Sequence, residues 1–333
     1  MTQTRSKKTE ESYIKKSIEL MHLAFNKNKE NKSALSISME ITFNEKIFKV
    51  LPVFNTVLWF CKNKAHNYSP STWRYYRSSF NFYAQSEFNA GRLKIEKLEK
   101  INEILSLTKS GEKSYLPQRT SAKKSKNLNE KDIIELILAL ESSKNKWAQA
   151  TLLWIRSGVL SGLRPIEWSN VEIKEDENNN IFLIVKNAKN TNNRSHGVNR
   201  TIDLTFLTNK DESIIKKHVK LAKGFHGNDL WKKYYEGCSN LLRTLTRKMW
   251  PNRKKYPTLY TFRHQFSANI KASGYTPNEV AALMGHASDQ TAQEHYGKKR
   301  YGKSGKGPKP NKEDLKNVKI KMKQNFDFKD KKK

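Results

Sequence analysis

The chain has 333 residues, enough for two compact domains with a core each. Its 64 lysines and arginines face 32 aspartates and glutamates, and the formal net charge of +32 at pH 7 repels itself unless a polyanion neutralises it. Double-stranded nucleic acid, with one charge per ~1.7 Å of duplex axis, meets that demand better than an anionic membrane surface, and no apolar run reaches the ~18 residues of a spanning helix.

Residues 1–33 are polar and lack the apolar core of a secretion signal. Tyr13, Ile14, Ile18, Met21, Leu23 and Phe25 form one amphipathic patch there, either a helix that packs or swaps onto a neighbour or a solvated arm. Residues 34–110 are expected to form a small helical DNA-binding domain. Phe48, Leu51, Phe54, Val57, Leu58 and Phe60 recur near helical spacing. Ser69-Pro70-Ser71-Thr72 supplies capping hydroxyls and an early proline for a helix with Trp73, Tyr76, Phe80 and Tyr83 on one face. Arg74 and Arg77 fall off that face and are candidate phosphate contacts. Residues 111–127 have a linker composition, and Lys123, Lys124 and Lys126 within it are candidate contacts to the DNA backbone.

The domain expected over 128–300 opens with Asn129 as N-cap and Asp132 at N3, before a helix carrying Ile133, Ile134, Leu136, Ile137, Leu138 and Leu140. A second apolar helix spans about 147–160 and breaks at Ser161-Gly162; Pro165 suits the first turn of the next helix. Ile181 to Val185 reads as a strand and Thr201 to Leu204 as its return, a hairpin with a long lysine-bearing loop. Helices are expected over about 214–221, 241–250, 261–272 and 277–284, and a short one ends at Tyr296. The fold class is therefore mainly α with a small antiparallel β-sheet. Beyond 300 the chain is a basic tail. From Gly297 onward it has 15 basic and four acidic residues, and Leu315, Val318 and Met322 are spaced for a short helix that docks on a partner, or for disorder. Cys61 and Cys238 are far apart, which suggests neither a disulfide framework nor a zinc site and fits a reduced cytosolic setting, nucleoid-associated if bacterial.

Cleavage of a phosphodiester by a side chain needs cations on the non-bridging oxygens, an in-line nucleophile and an acid for the leaving oxygen. Arginine suits the first role because its guanidinium is planar, always charged and bidentate. Arg164 follows a glycine turn at a helix start, Arg263 enters a helix, His286 follows Gly285, and Tyr296 comes ten positions later. A phenol has a pKa near ~10 and needs cationic neighbours to become a good nucleophile. Tyr301 is a rival nucleophile, but it sits beside a glycine-rich tail.

Gly162-Leu163-Arg164-Pro165-Ile166-Glu167, Tyr260-Thr261-Phe262-Arg263-His264, Leu283-Met284-Gly285-His286 and His295-Tyr296 together resemble the tyrosine recombinase family, the phage-type integrases and their relatives. The likeness covers about 128–300, and 40–110 only in general character. It implies a two-domain DNA clamp in which Arg164 and Arg263 grip the scissile phosphate, His286 assists, and Tyr296 forms a 3′-phosphotyrosine. Glu167 would buttress Arg164, with His264 and His295 as packing or supporting groups. Position 260, usually histidine in the family, is tyrosine here; a phenol can donate a hydrogen bond to phosphate but is no imidazolium acid. The resemblance also implies a hairpin lysine acting on the leaving oxygen, Lys189 first and Lys186 second. It implies neither a metal nor ATP. The protomer, monomeric when free, would join a homo-tetramer on two DNA sites to integrate or excise the DNA of a mobile element. The alternatives are relaxation of DNA like a type IB topoisomerase and non-catalytic DNA binding on the same scaffold.

Overall fold

A computed structural model describes residues 6–30, 32–110, 124–188, 190 and 195–321. It divides into two compact units, Met1–Gln118 and Arg119–Lys333.

In the first unit, α1 (Lys7–Asn28) starts where the Ser6 hydroxyl accepts the Thr9 amide. The stretch expected as a neighbour-packing helix or a solvated arm is thus a long helix, and it packs on its own unit: Ile18, Leu20, Met21, Ala24 and Phe25 are buried in that core. After α2 (Lys32–Ser36) comes a hairpin, β1 (Met39–Phe43) and β2 (Lys46–Val50), closed at Asn44 and Glu45 with φ of 48° and 63°. Two consecutive left-handed residues make a turn whose twist matches that of the strands. Phe48 therefore lies on a strand, and the helical run expected from it begins only at α3 (Val53–Asn63), because Pro52 keeps Leu51 out of the helical region. The unit is completed by α4 (Pro70–Asn89) and α5 (Ile95–Leu107). On α4 the Ser69 hydroxyl accepts the Thr72 amide, Trp73, Phe80 and Tyr83 enter the core, Arg74 is exposed and Arg77 is half-buried.

The second unit is built around α7 (Ala148–Ser161), buried along most of its length and packed against α6 (Glu130–Glu141), α8 (Asn209–Lys223), α9 (Asn228–Met249) and α10 (Leu259–Ala272). Trp154 and Tyr234 stack at its centre, with Trp168, Trp231 and His218 around them. Truncating a side chain as fully buried as Phe262 destabilises by about 3–5 kcal/mol, so α10 is rigidly seated. The expected cap at Asn129 is present, accepting the Asp132 amide at 2.7 Å. A 3-10 turn, Pro165–Asn170, leads from α7 to an antiparallel sheet ordered β3 (Glu172–Glu175), β4 (Ile181–Lys186), β5 (Asn199–Asp203) and β6 (Lys309–Pro310). Then come α11 (Pro277–Met284) and α12 (Asp289–His295), and α13 (Lys312–Asn317) lies in the tail.

Both flanks of this unit are tied to it. Within the expected linker, the Ser125 amide donates to the Tyr256 carbonyl and Thr261 Oγ1 donates to the Ser125 carbonyl, each at 2.8 Å. In the tail, Pro310 and Lys309 pair with Ile202 and Asp203, the Thr201 amide donates to Asp314 at 2.7 Å, and Leu315 and Val318 pack on Ala281 and Ala282. The tail up to Lys321 thus covers its own chain, while Met322 lies outside the described residues. Among the described residues no helix is long and apolar enough to cross a membrane.

Candidate functional site

The site forms where α7, β5, α10 and the loop after α11 meet. Gly162 ends α7 at φ 65°, and a Cβ there would overlap the Phe266 ring of α10. That turn aims Arg164 inward. Glu167, one turn later, accepts the Arg164 amide at 2.7 Å and Arg164 Nη1 at 2.5 Å. Arg263 on α10 donates from Nη1 to the Gly162 carbonyl at 2.5 Å and from Nη2 to the Met284 carbonyl at 2.6 Å. Gly285 ends α11 at φ 63°, and the His286 amide returns to the Ala281 carbonyl, so the helix closes in a left-handed cap that presents His286.

Sequence reasoning missed a third arginine. Arg200 on β5 is buried and donates to both Glu167 oxygens, at 3.2 and 2.7 Å, to the Leu283 carbonyl at 3.0 Å, and to Asn187 Oδ1. The available signal was strand alternation: Arg200 is in phase with buried Ile202 and Leu204, and an inward arginine demands a carboxylate. Glu167 supplies it, lying 3.7 Å from Arg263 as well. Burial alone would raise the Glu167 carboxyl, but the guanidinium groups of Arg200, Arg263 and Arg164 outweigh it and hold it far below the usual carboxylate range. Three buried cations against this one carboxylate leave an excess of two positive charges.

Tyr296 stands at that excess. It follows α12 in an extended conformation, with its ring 5.2 Å from the Arg263 guanidinium and 4.8 Å from the His286 ring. Tyr260, one turn before Arg263 on α10, places its hydroxyl 2.7 Å from the Tyr296 hydroxyl. Burial opposes ionisation of Tyr296, yet Arg263, the Tyr260 hydrogen bond and Arg164 bring its pKa below the ordinary phenol value. Tyr260 moves the other way, chiefly through burial. Either hydroxyl can donate in this pair.

His286 is 2% exposed, and burial and the three arginines keep it neutral. Its Nε2 lies 3.2 Å from Arg263 Nη2, which can only donate, so the proton sits on Nδ1. That Nδ1, with Arg164 Nε and Arg263 Nε, is buried and has no hydrogen-bond partner within the protein. His264 lies against Tyr296, rings 4.9 Å apart, and burial followed by Lys126, Arg263 and Lys271 pushes its pKa down to about 4.

The structure thus brings Arg164, Glu167, Tyr260, Arg263, His264, His286 and Tyr296 together. Lys189 and Lys123 lie outside the described residues, as does the side chain of His295. Lys186 is exposed at the end of β4, and Lys124 and Lys126 are exposed beside α10. Tyr301, the rival nucleophile, is 44% exposed, with its ring beside Arg300 and its carbonyl bound by Gln265.

In chemical terms this is a buried cluster of three guanidinium groups around one carboxylate with a phenol at its edge, on a mainly helical scaffold carrying a small antiparallel sheet. No protein-family model and no curated protein matches the sequence. Among solved structures, the chain is similar to the XerH site-specific recombinase bound to its difH substrate before cleavage. Identity is 15% and the TM-score 0.49, over 85% of this chain and 75% of that one. It is also similar to a lambda integrase dimer bound to a core site (13% identity, TM-score 0.43, 88% of this chain and 89% of that one) and to the XerA recombinase (16%, 0.35, 85% and 92%). These neighbours are tyrosine recombinases.

Proposed function

We propose that the chain is a site-specific tyrosine recombinase of the integrase type, which cleaves and rejoins double-stranded DNA through a 3′-phosphotyrosine on Tyr296. The reading is carried by the buried excess of positive charge around a phenol whose oxygen is already hydrogen-bonded. A phosphodiester matches it in charge and in acceptor geometry.

In the cleavage step the Tyr296 oxygen bonds to phosphorus as the bond from phosphorus to the 5′ oxygen breaks. Tyr296 gives up its proton, the 5′ oxygen gains one, and a free 5′ hydroxyl results. Arg164 and Arg263, through Nε, and His286, through Nδ1, donate to the non-bridging oxygens as charge builds on them. Tyr260 holds the phenolate oxygen in place, the role left to it once histidine is replaced at this position. Lys189, in the hairpin after β4, is the proposed acid for the leaving oxygen, with Lys186 second. Attack by a 5′ hydroxyl on the phosphotyrosine reverses the step and conserves the bond. Arg74, Arg77, Lys124 and Lys126 contribute to the grip on the duplex. Four protomers act on two sites to integrate or excise a mobile element.

The test uses suicide duplexes of random sequence, with the adduct recovered on a denaturing gel and its DNA sequenced. Wild-type protein is expected to form the adduct and Tyr296→Phe none. An adduct that survives in Tyr296→Phe assigns the nucleophile elsewhere.

A further inference from the structure

Tyr296 is followed by a segment that is tied closely to α10. The helix before it, α12, has seven residues, and Tyr296 lies beyond its last turn. The chain after it runs along α10. A Cβ at Gly297 would overlap the His264 carbonyl oxygen, and one at Gly302 would overlap that of Ala268, so the strap touches the α10 backbone at two points. Side chains of α10 fix it in register. Gln265 donates to the Tyr301 carbonyl at 2.9 Å, Asn269 accepts the Lys303 amide at 3.1 Å, and Ser273 accepts the Gly305 amide at 3.0 Å. Lys271 donates from Nζ to the carbonyl of Gly297, the residue directly after Tyr296, at 2.8 Å.

Lys271 is only 6% exposed and lies on the α10 face of Ser267 and Arg263, one and two turns earlier. Burying an ammonium is unfavourable, and an apolar residue would fill the last turn of a core helix without that penalty. The bond to Gly297 gives the lysine a specific task, because it places a donor on the carbonyl directly after Tyr296.

We propose that Lys271 is a positioning residue: by holding the Gly297 carbonyl against α10 it sets the distance from Tyr296 to the phosphate that Arg263, on the same helix, grips. One rigid element would then carry both the anion clamp and the ruler for the nucleophile. The inference rests on the proposed function, since it assumes that Tyr296 attacks.

The experiment measures three quantities on Lys271→Met with a suicide duplex recovered from the wild-type adduct: the single-turnover rate of adduct formation at saturating DNA, the Kd for the duplex, and Tm. Displacing a reacting atom by about 1 Å costs roughly 10²-fold in rate, so a loss of tenfold to a hundredfold is expected, with Kd within about twofold and no drop in Tm. An adduct rate equal to wild type, or equal losses of binding and rate, overturns the proposal. Should Lys271→Met fail to fold, Gly302→Ala lifts the far end of the strap without touching Lys271 or the pocket; the same loss of rate supports the ruler and a wild-type rate overturns it. A wild-type protein that forms no adduct on any duplex sinks the assignment of Tyr296 itself, an outcome visible before any variant is compared.

Discussion

At the scale of single residues, the pocket is organised by competition for Glu167. With three guanidinium groups on one carboxylate, neutralising the carboxylate leaves them facing one another in a buried space. Glu167→Ala should therefore destabilise the second unit by about 3–5 kcal/mol in urea denaturation, more than any exposed ion pair contributes. The pH dependence has a definite sign. The folded carboxyl is held below its unfolded value, so its contribution is complete above the unfolded pKa and is lost only as pH falls through the folded one. The wild-type protein should accordingly keep this contribution well into the acid range. Tyr260 allows a second prediction. On the proposed function its hydroxyl would stabilise the Tyr296 phenolate, so Tyr260→Phe should raise the pKa of the proposed nucleophile and move the rising limb of the pH–rate profile to higher pH. The rate near neutrality should fall by about tenfold to a hundredfold in single-turnover cleavage. An unshifted limb would assign Tyr260 a packing role only.

At the scale of elements, α10 is legible in the sequence and β5 is not, for physical reasons. The α10 residues that bear chemistry lie within one continuous helix, so Tyr260, Arg263 and His264 read as one group. Arg200 is recognisable only once the strand is known to begin before Thr201, and its partner Glu167 is far away along the chain. The β1–β2 hairpin is hidden because Phe48, Leu51 and Phe54 recur every third residue, and Asn44-Glu45 lacks the glycine that usually marks such a turn. The short β6 exists only because β5 offers an edge, a tertiary fact with no local signal. Lys271 gives no signal either, since lysine near a helix C-terminus is ordinarily a solvated partner of the helix dipole. Its burial makes a measurable difference. The folded pKa, lowered by burial to about 8, lies below the ordinary 10.5, so the unfolded chain binds more protons between these values and stability rises with pH across that window. Lys271→Met lacks this slope, and the stability of wild type relative to the variant should increase from pH 8 to pH 10 in parallel denaturation series. Parallel curves would show that the ammonium is not buried in solution.

At the scale of the whole molecule, two electrostatic systems coexist and respond differently to salt. The formal charge of +32 is spread over exposed lysines and arginines, whereas the pocket charges of Arg164, Arg200 and Arg263 are buried. Exposed charge acts through counterion release: a protein making 6–10 phosphate contacts loses about 10³–10⁵ in affinity between ~50 and ~200 mM salt. Buried charge is screened far less, because ions would not enter between the pocket and the phosphate it is proposed to hold. Duplex affinity measured by anisotropy should therefore fall steeply with salt, and Tyr296→Phe, which changes no charge, should follow the same slope as wild type. The rate of adduct formation at saturating DNA should vary by no more than a few-fold over the same range. If that rate fell as steeply as the affinity, the charges that drive the chemistry would be exposed ones, and the buried cluster around Glu167 would have to be read as part of the framework.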